Sequence, residues 1–138
     1  MAGTVRVVEY YYATVEDKPG EARRLLGFCS AHGVDLVNLT AFPVGKGRAQ
    51  MDFFPKDAEK LKSAAQEAGI PLVGPKKAFL IQGADHPGVL VDHHLRLAYA
   101  GVNVYAANGT SDGRGGFGFI LWVRPEDFEK AAKALGVD

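Results

Sequence analysis

Two short segments carry the chemistry most worth reading in this chain: Asp17-Lys18-Pro19-Gly20 and Asp85-His86-Pro87-Gly88. Each stands where a strand-like run gives way to a helical one. Proline suits the first turn of a helix, because its missing N–H had no partner there. The N–H groups at such a helix start, together with the helix dipole, favour a carboxylate or another anion. Gly20 and Gly88 lack a side chain, so a bound molecule can come close to the backbone. Asp17 and Asp85 admit two readings: each caps its helix, or each faces a positively charged group on a ligand. His86 stands where the first turn has Lys18, and is the best candidate for a contact that distinguishes the two. Asn38, Asn103 and Asn108 offer side-chain hydrogen bonds, or serve simply as strand and turn residues.

Other reactive side chains carry less. Histidines that share a metal on a helix are three or four positions apart; His93 and His94 are adjacent and point about 100° apart. His94 falls on an apolar face and reads as a packed, hydrogen-bonded histidine, so no metal is expected. Gly113 to Gly118 is glycine-rich but lacks the Lys-Ser/Thr ending of a phosphate loop. Cys29 has no evident base partner and reads as a core thiol. No Ser-His-Asp set or carboxylate pair stands out, so the expectation is a protein that is not an enzyme and needs no cofactor.

The elements that must position these residues come in duplicate. The Asp-x-Pro-Gly turn recurs after 68 positions, and Gly33-Val34-Asp35-Leu36 returns as Gly101-Val102-Asn103-Val104 at the same offset. Phe54-Pro55-Lys56-Asp57-Ala58-Glu59-Lys60 returns as Arg124-Pro125-Glu126-Asp127-Phe128-Glu129-Lys130 after 70. A period this long suits a duplicated domain rather than a solenoid. In the first copy, Val5 to Val15 is rich in Val and Tyr and reads as a strand. A helix follows the turn and stops at Gly33. Strands over Val34 to Phe42 and around Ala49, Met51 and Phe53 flank a Gly45-Lys46-Gly47 hairpin loop. A second helix runs from Pro55 to Gly69, and a short strand follows at Ile70 to Val73. The second copy repeats this order, with its first strand over Lys77 to Gly83 and a helix from Pro87 to Ala100. The order strand, helix, strand, strand, helix, strand is the ferredoxin-like plan. The expected fold is therefore α+β: two βαββαβ repeats, residues 1–73 and 74–138, with antiparallel sheets and helices on one face. A hinge is expected near Val73-Gly74-Pro75. Copy two lacks room for a last strand, and the long N-terminal stretch from Thr4 is expected to cover that open edge.

The paired Asp-x-Pro-Gly turns, each followed by a helix and the Gly-Val-Asx-hydrophobic signature, make the chain resemble a stand-alone tandem ACT domain protein. That resemblance spans almost the whole chain. It implies a regulatory module that binds a small ligand, typically an amino acid, near a domain or subunit interface. Residues Asp17, Lys18, Pro19, Gly20 and Asn38 would serve one site, and Asp85, His86, Pro87, Gly88 and Asn103 the other.

A rival reading comes from Gly115-Gly116-Phe117-Gly118-Phe119-Ile120-Leu121-Trp122, which resembles the third strand of an RNA-recognition motif. That motif needs Phe117 and Phe119, with Phe79, on the open sheet face to stack on bases. Matching the third blocks at offset 70 sets Ala49, Met51 and Phe53 against Phe119, Leu121 and Val123, and the two-residue period then turns Phe117 and Phe119 inward. With 16 basic and 16 acidic residues the net charge is zero, whereas nucleic-acid binders usually show a basic excess. RNA is thus not the expected partner. The inward assignment leaves Ile120 and Trp122, with Phe79 and the tyrosines of the first strand, on the outer faces. Such faces are expected to pack in a homodimer. No signal peptide or membrane-spanning run is evident, so the expected location is the cytoplasm.

Overall fold

The computed structural model describes residues Gly3–Val137. Six strands and four α-helices follow one another in these residues: β1 (Thr4–Glu16), α1 (Glu21–Ala31), β2 (Leu36–Pro43), β3 (Arg48–Pro55), α2 (Ala58–Ala68), β4 (Val73–Ala84), α3 (Val91–Tyr99), β5 (Val104–Ser111), β6 (Gly116–Val123) and α4 (Phe128–Leu135). The chain divides into two compact units. The first spans Glu9–Lys76; the second joins the residues up to Val8 with those from Lys77 onward.

In the first unit the strand order is β2-β3-β1, with the start of β4 on the far side of β1. The β1–β3 and β2–β3 pairs are antiparallel, with Tyr11 opposite Phe53 and Leu39 opposite Phe53. Alternation along β1 sends Tyr11, Ala13 and Val15 to one face. There they meet Met51 and Phe53 from β3, Leu25 and Cys29 from α1, and Leu61 and Ala64 from α2. Burial pushes the Cys29 thiol above its ordinary value, in keeping with a core role.

The second unit repeats the plan as β5-β6-β4, with the start of β1 as its fourth strand. Phe79 lies opposite Leu121, and Ala107 also lies opposite Leu121. Phe79, Ile81, Phe119, Leu121 and Val123 form the core with Leu97 of α3 and Ala131, Ala132 and Leu135 of α4; Val5, Val7 and Phe117 pack against it. The open edge of the second repeat is thus covered by the N-terminal stretch. The Thr4 hydroxyl donates to the Gln82 carbonyl. A Cβ on Gly83 would lie 2.7 Å from the Gly3 Cα, so the two backbones approach as closely as glycine allows.

Several expected boundaries move. Residues 70–72, expected in a short closing strand, carry no strand; Val73 opens β4, which runs through Gly74-Pro75 into the first strand of the second repeat, and the two units divide at Lys76/Lys77. α3 begins at Val91, after a run of turns, not at Pro87. The strands of the two repeats superpose at offset 68, because Tyr11 faces Phe53 as Phe79 faces Leu121. The two extra residues lie after β6. Met51 therefore matches Phe119, not Leu121. A shift of two residues keeps each side chain on its face, so the inward assignment of Phe117 and Phe119 stands.

Candidate functional site

Each Asp-x-Pro-Gly turn is held by the hairpin loop of its own unit. The Asp17 N–H donates to the Gly47 carbonyl (2.9 Å), and the Asp85 N–H to the Gly115 carbonyl (2.8 Å). The loops themselves are copies: Val44 N–H donates to the Arg48 carbonyl, and Asp112 N–H to the Gly116 carbonyl, both at 2.9 Å. In the second loop the Asp112 carboxylate also accepts the N–H groups of Arg114 (2.6 Å) and Gly116 (3.0 Å). Those bonds hold its carboxyl below the usual carboxylate range and stiffen the segment that carries Gly115.

The turns end in glycine with positive φ, 92° at Gly20 and 79° at Gly88, a conformation that side chains with a Cβ seldom adopt. Neither α1 nor α3 has a side-chain cap, so the capping bond open to Asp17 and Asp85 is not made. Asp17, Lys18, Pro19 and Gly20 are all exposed, with Lys18 paired to Glu16 at 2.9 Å. Asp85, His86, Pro87 and Gly88 are exposed as well.

The second turn stands beside an open depression. His86, Gly88, Val89, Leu90, Val91 and His94 line an open depression of about 440 Å³. His86 Nδ1 lies 3.0 Å from the Pro87 carbonyl, and His94 Nδ1 lies 2.7 Å from the Leu90 carbonyl. A carbonyl oxygen can only accept, so each Nδ1 carries the proton. In the neutral ring Nε2 is then a lone-pair acceptor. The His94 ring is further fixed edge-on to Phe119, with centroids 5.6 Å apart. Two oriented imidazoles and an apolar wall suit a small molecule with a polar head and an apolar body. At offset 68 the first repeat has Lys18 and Leu26 in place of the two histidines.

Asn38 and Asn103 are not brought to the turns. Asn38 lies opposite Phe54, six residues along β3 from the Arg48 end where the first turn sits, on the order of 20 Å away. Its amide instead donates to Thr40 Oγ1 at 2.8 Å. Asn103 precedes Val104, which faces Val123 at the end of β6 remote from Gly116. The apolar lining residues Val89, Leu90 and Val91 were not singled out in the sequence. Their signal is the divergence between repeats, since they replace Glu21, Ala22 and Arg23.

The rival nucleic-acid surface does not form. Phe119 and Phe79 lie in the helix-side core, Phe117 packs against it, and Phe79 stacks on Phe128 at 4.7 Å. Phe79 is therefore not on the outer face. Trp122 is, yet it is only 4% exposed within one chain and offers no surface to a dimer partner. Among the described residues no group of three or more His, Cys, Asp or Glu is placed to hold a metal ion. No helix there is long and apolar enough to cross a membrane.

Comparison with solved structures gives the fold a context. The chain covers 99% of itself on the ligand-free regulatory subunit of aspartate kinase from Thermus thermophilus and 97% of that chain, with a TM-score of 0.66 and 21% identity. It shares the fold of that regulatory subunit. The Thermus flavus regulatory subunit gives a TM-score of 0.61 at 21% identity, covering 99% of this chain and 97% of that one. A Bacteroides thetaiotaomicron protein reaches 0.78 at 15% identity, covering 97% and 92%. No protein-family model matches the sequence, and no curated protein does.

Proposed function

We propose that this protein is a non-catalytic regulatory module of two ACT-like repeats that binds an amino acid at the second turn, next to α3, and works as a homodimer. The observation that carries the reading is the cleft lined by His86, Gly88, Val89, Leu90, Val91 and His94. The start of α3 favours the ligand carboxylate, the lone pairs on the two imidazoles suit its ammonium, and the valines and leucine suit an apolar side chain. The regulatory role of the two Thermus neighbours is in keeping with it. The first turn has no such apolar wall, so we assign it a weaker role or none.

A thermal-shift screen of the twenty amino acids tests this. A ligand bound only by the folded chain, at about 100 times its dissociation constant, stabilises by roughly 2.7 kcal/mol. An apolar amino acid should give the largest shift. Gly88→Val, which forces a β-branched side chain into a positive-φ position, should abolish it. His94→Leu, which installs the first repeat's residue, should weaken it without loss of fold. No shift with any amino acid, or a shift untouched by both substitutions, overturns the proposal.

A further inference from the structure

A groove runs along α4 in the second unit. Its floor is apolar, made by Val7 of β1 with Phe128, Ala132 and Val137. Val7, Phe128 and Val137 are only partly buried and pack on the unit's core, so the floor is core surface left open to water. The rim is charged. Lys77 of β4 stands on it with Glu129 and Lys133 of α4, and all three are exposed. The groove owes one wall to the borrowed strand, since Val7 belongs to the N-terminal stretch that joins this unit. None of these residues borders the depression at His86.

The charges say what fits it. Lys77 Nζ lies over the Phe128 ring, 5.5 Å from its centroid, and stacking on Phe79 fixes that ring. The cation–π contact thus holds an ammonium above the floor. Among the described residues neither Lys77 nor Lys133 pairs with a carboxylate, whereas the neighbouring Lys130 does. Two lysines and one glutamate leave a single net positive charge on the rim, which suits a monoanion better than a phosphate. From Phe128 to Lys133 the helix advances about 7.5 Å, room for one ring and a carboxylate. The first repeat lacks this pattern. α4 ends as α2 does: the Gly136 and Val137 N–H groups donate to the Lys133 and Ala132 carbonyls, as those of Gly69 and Ile70 donate to Gln66 and Ala65. Lys133 therefore matches Gln66, Glu129 matches Lys62, and Lys77 matches Glu9. Nothing in the shared fold requires the two lysines, because the twin unit folds with an amide and an acid in their places.

We propose that this groove binds a small monocarboxylic acid with an aromatic or branched apolar body. The carboxylate sits between Lys77 and Lys133, and the body lies on Val7, Phe128 and Val137. Charge-assisted hydrogen bonds from the two ammonium groups fix the head. Glu129 disfavours a second negative charge on the ligand. The rim is open to water, so affinity is modest, a dissociation constant of about 1 mM for a ligand of about ten non-hydrogen atoms.

Phenylacetate is the probe, titrated into the full chain at neutral pH and followed by amide NMR shifts. Saturable shifts should gather at Lys77, at residues 128–133 and at Val137. Benzyl alcohol, with the ring but no charge, and phenethylamine, with the opposite charge, should bind at least about tenfold more weakly. Lys77→Glu with Lys133→Gln, the residues found at those places in the first repeat, should weaken phenylacetate at least about tenfold. Both side chains are exposed, so the fold survives the change. His94→Leu should leave phenylacetate binding as it is. Shifts that do not saturate, or that gather around His86 instead, overturn the proposal. So does equal binding of benzyl alcohol, indifference to the lysine substitutions, or a loss with His94→Leu. The groove shares no residue with the cleft assigned to the amino acid, so failure here leaves that proposal standing, and failure of the amino-acid screen leaves this one.

Discussion

Asp52 sits where water barely reaches it, at 3% exposure on β3. The Gln50 amide donates to its Oδ1 at 2.9 Å. Burial pushes its carboxyl above the ordinary value, against the smaller opposing pull of the Gln50 bond and the Lys76 charge. A group whose folded pKa is raised binds its proton more tightly in the folded state, so stability falls as pH rises from the usual carboxylate range through the raised value. At neutral pH the buried charge is a cost. Asp52→Asn keeps an acceptor for Gln50 and removes the charge. It should melt at a higher temperature than wild type at neutral pH, with the gap closing on acidification toward the ordinary carboxylate range. Melting curves across that span check it; a gap that does not change with pH refutes the account. Single residues were unevenly legible in the sequence. The turn residues could be found because glycine and proline state their backbone needs locally. Asn38 could not be excluded, because its distance from the turn depends on strand register, which is set by partners elsewhere in the chain.

Among the elements, α2 and α4 show how far a repeat can be trusted. Asp57 and Asp127 occupy matching positions. The Asp57 carboxylate accepts the Glu59 N–H at 3.0 Å and caps α2. Asp127 makes no cap on α4, which is preceded instead by a 3-10 turn at Pro125–Asp127. Asp57→Ala should therefore cost about 1 kcal/mol, read as a lowered urea midpoint. Asp127→Ala should cost clearly less, since its pairing with Lys130 is a loose 3.8 Å contact. Equal losses would mean that the sequence match, not the cap, governs. The same insertion explains the strand misalignment. Helix-start residues match at offset 70 and strands at 68, so a block anchored on the helix displaces the strand by two. Gly74-Pro75 marks the division between the units to within two residues without ending the strand. Both residues read as punctuation, yet β4 continues through them, because strand continuity is decided by hydrogen-bonded neighbours and not by propensity alone.

At the scale of the whole molecule, the sequence repeat and the compact units do not share boundaries. β1 serves the second unit up to Val8 and the first from Glu9. The duplicated motifs made the ferredoxin-like plan readable, and the shortage of chain after α4 pointed to the N-terminus as the missing strand. That assignment makes a demand on stability. Val5 and Val7 pack on the second core, and a fully buried valine contributes about 1.5–3 kcal/mol. Val5 and Val7 are only partly buried, so removing the residues through Val7 should destabilise the second unit by roughly 2 kcal/mol. It should also leave the Lys77–Ala84 part of β4 as an unpaired edge, a template for aggregation. Amide hydrogen exchange separates this from general damage. Protection should fall at those amides of Lys77–Ala84 that face β1 and persist at those bonded to β6, and persist in β2 and β3, which pair with each other and with β1 from Tyr11 onward. If the β1-facing amides of β4 stay protected in the truncated chain, the N-terminal stretch is not the strand that completes the second sheet, and the edge must be closed another way.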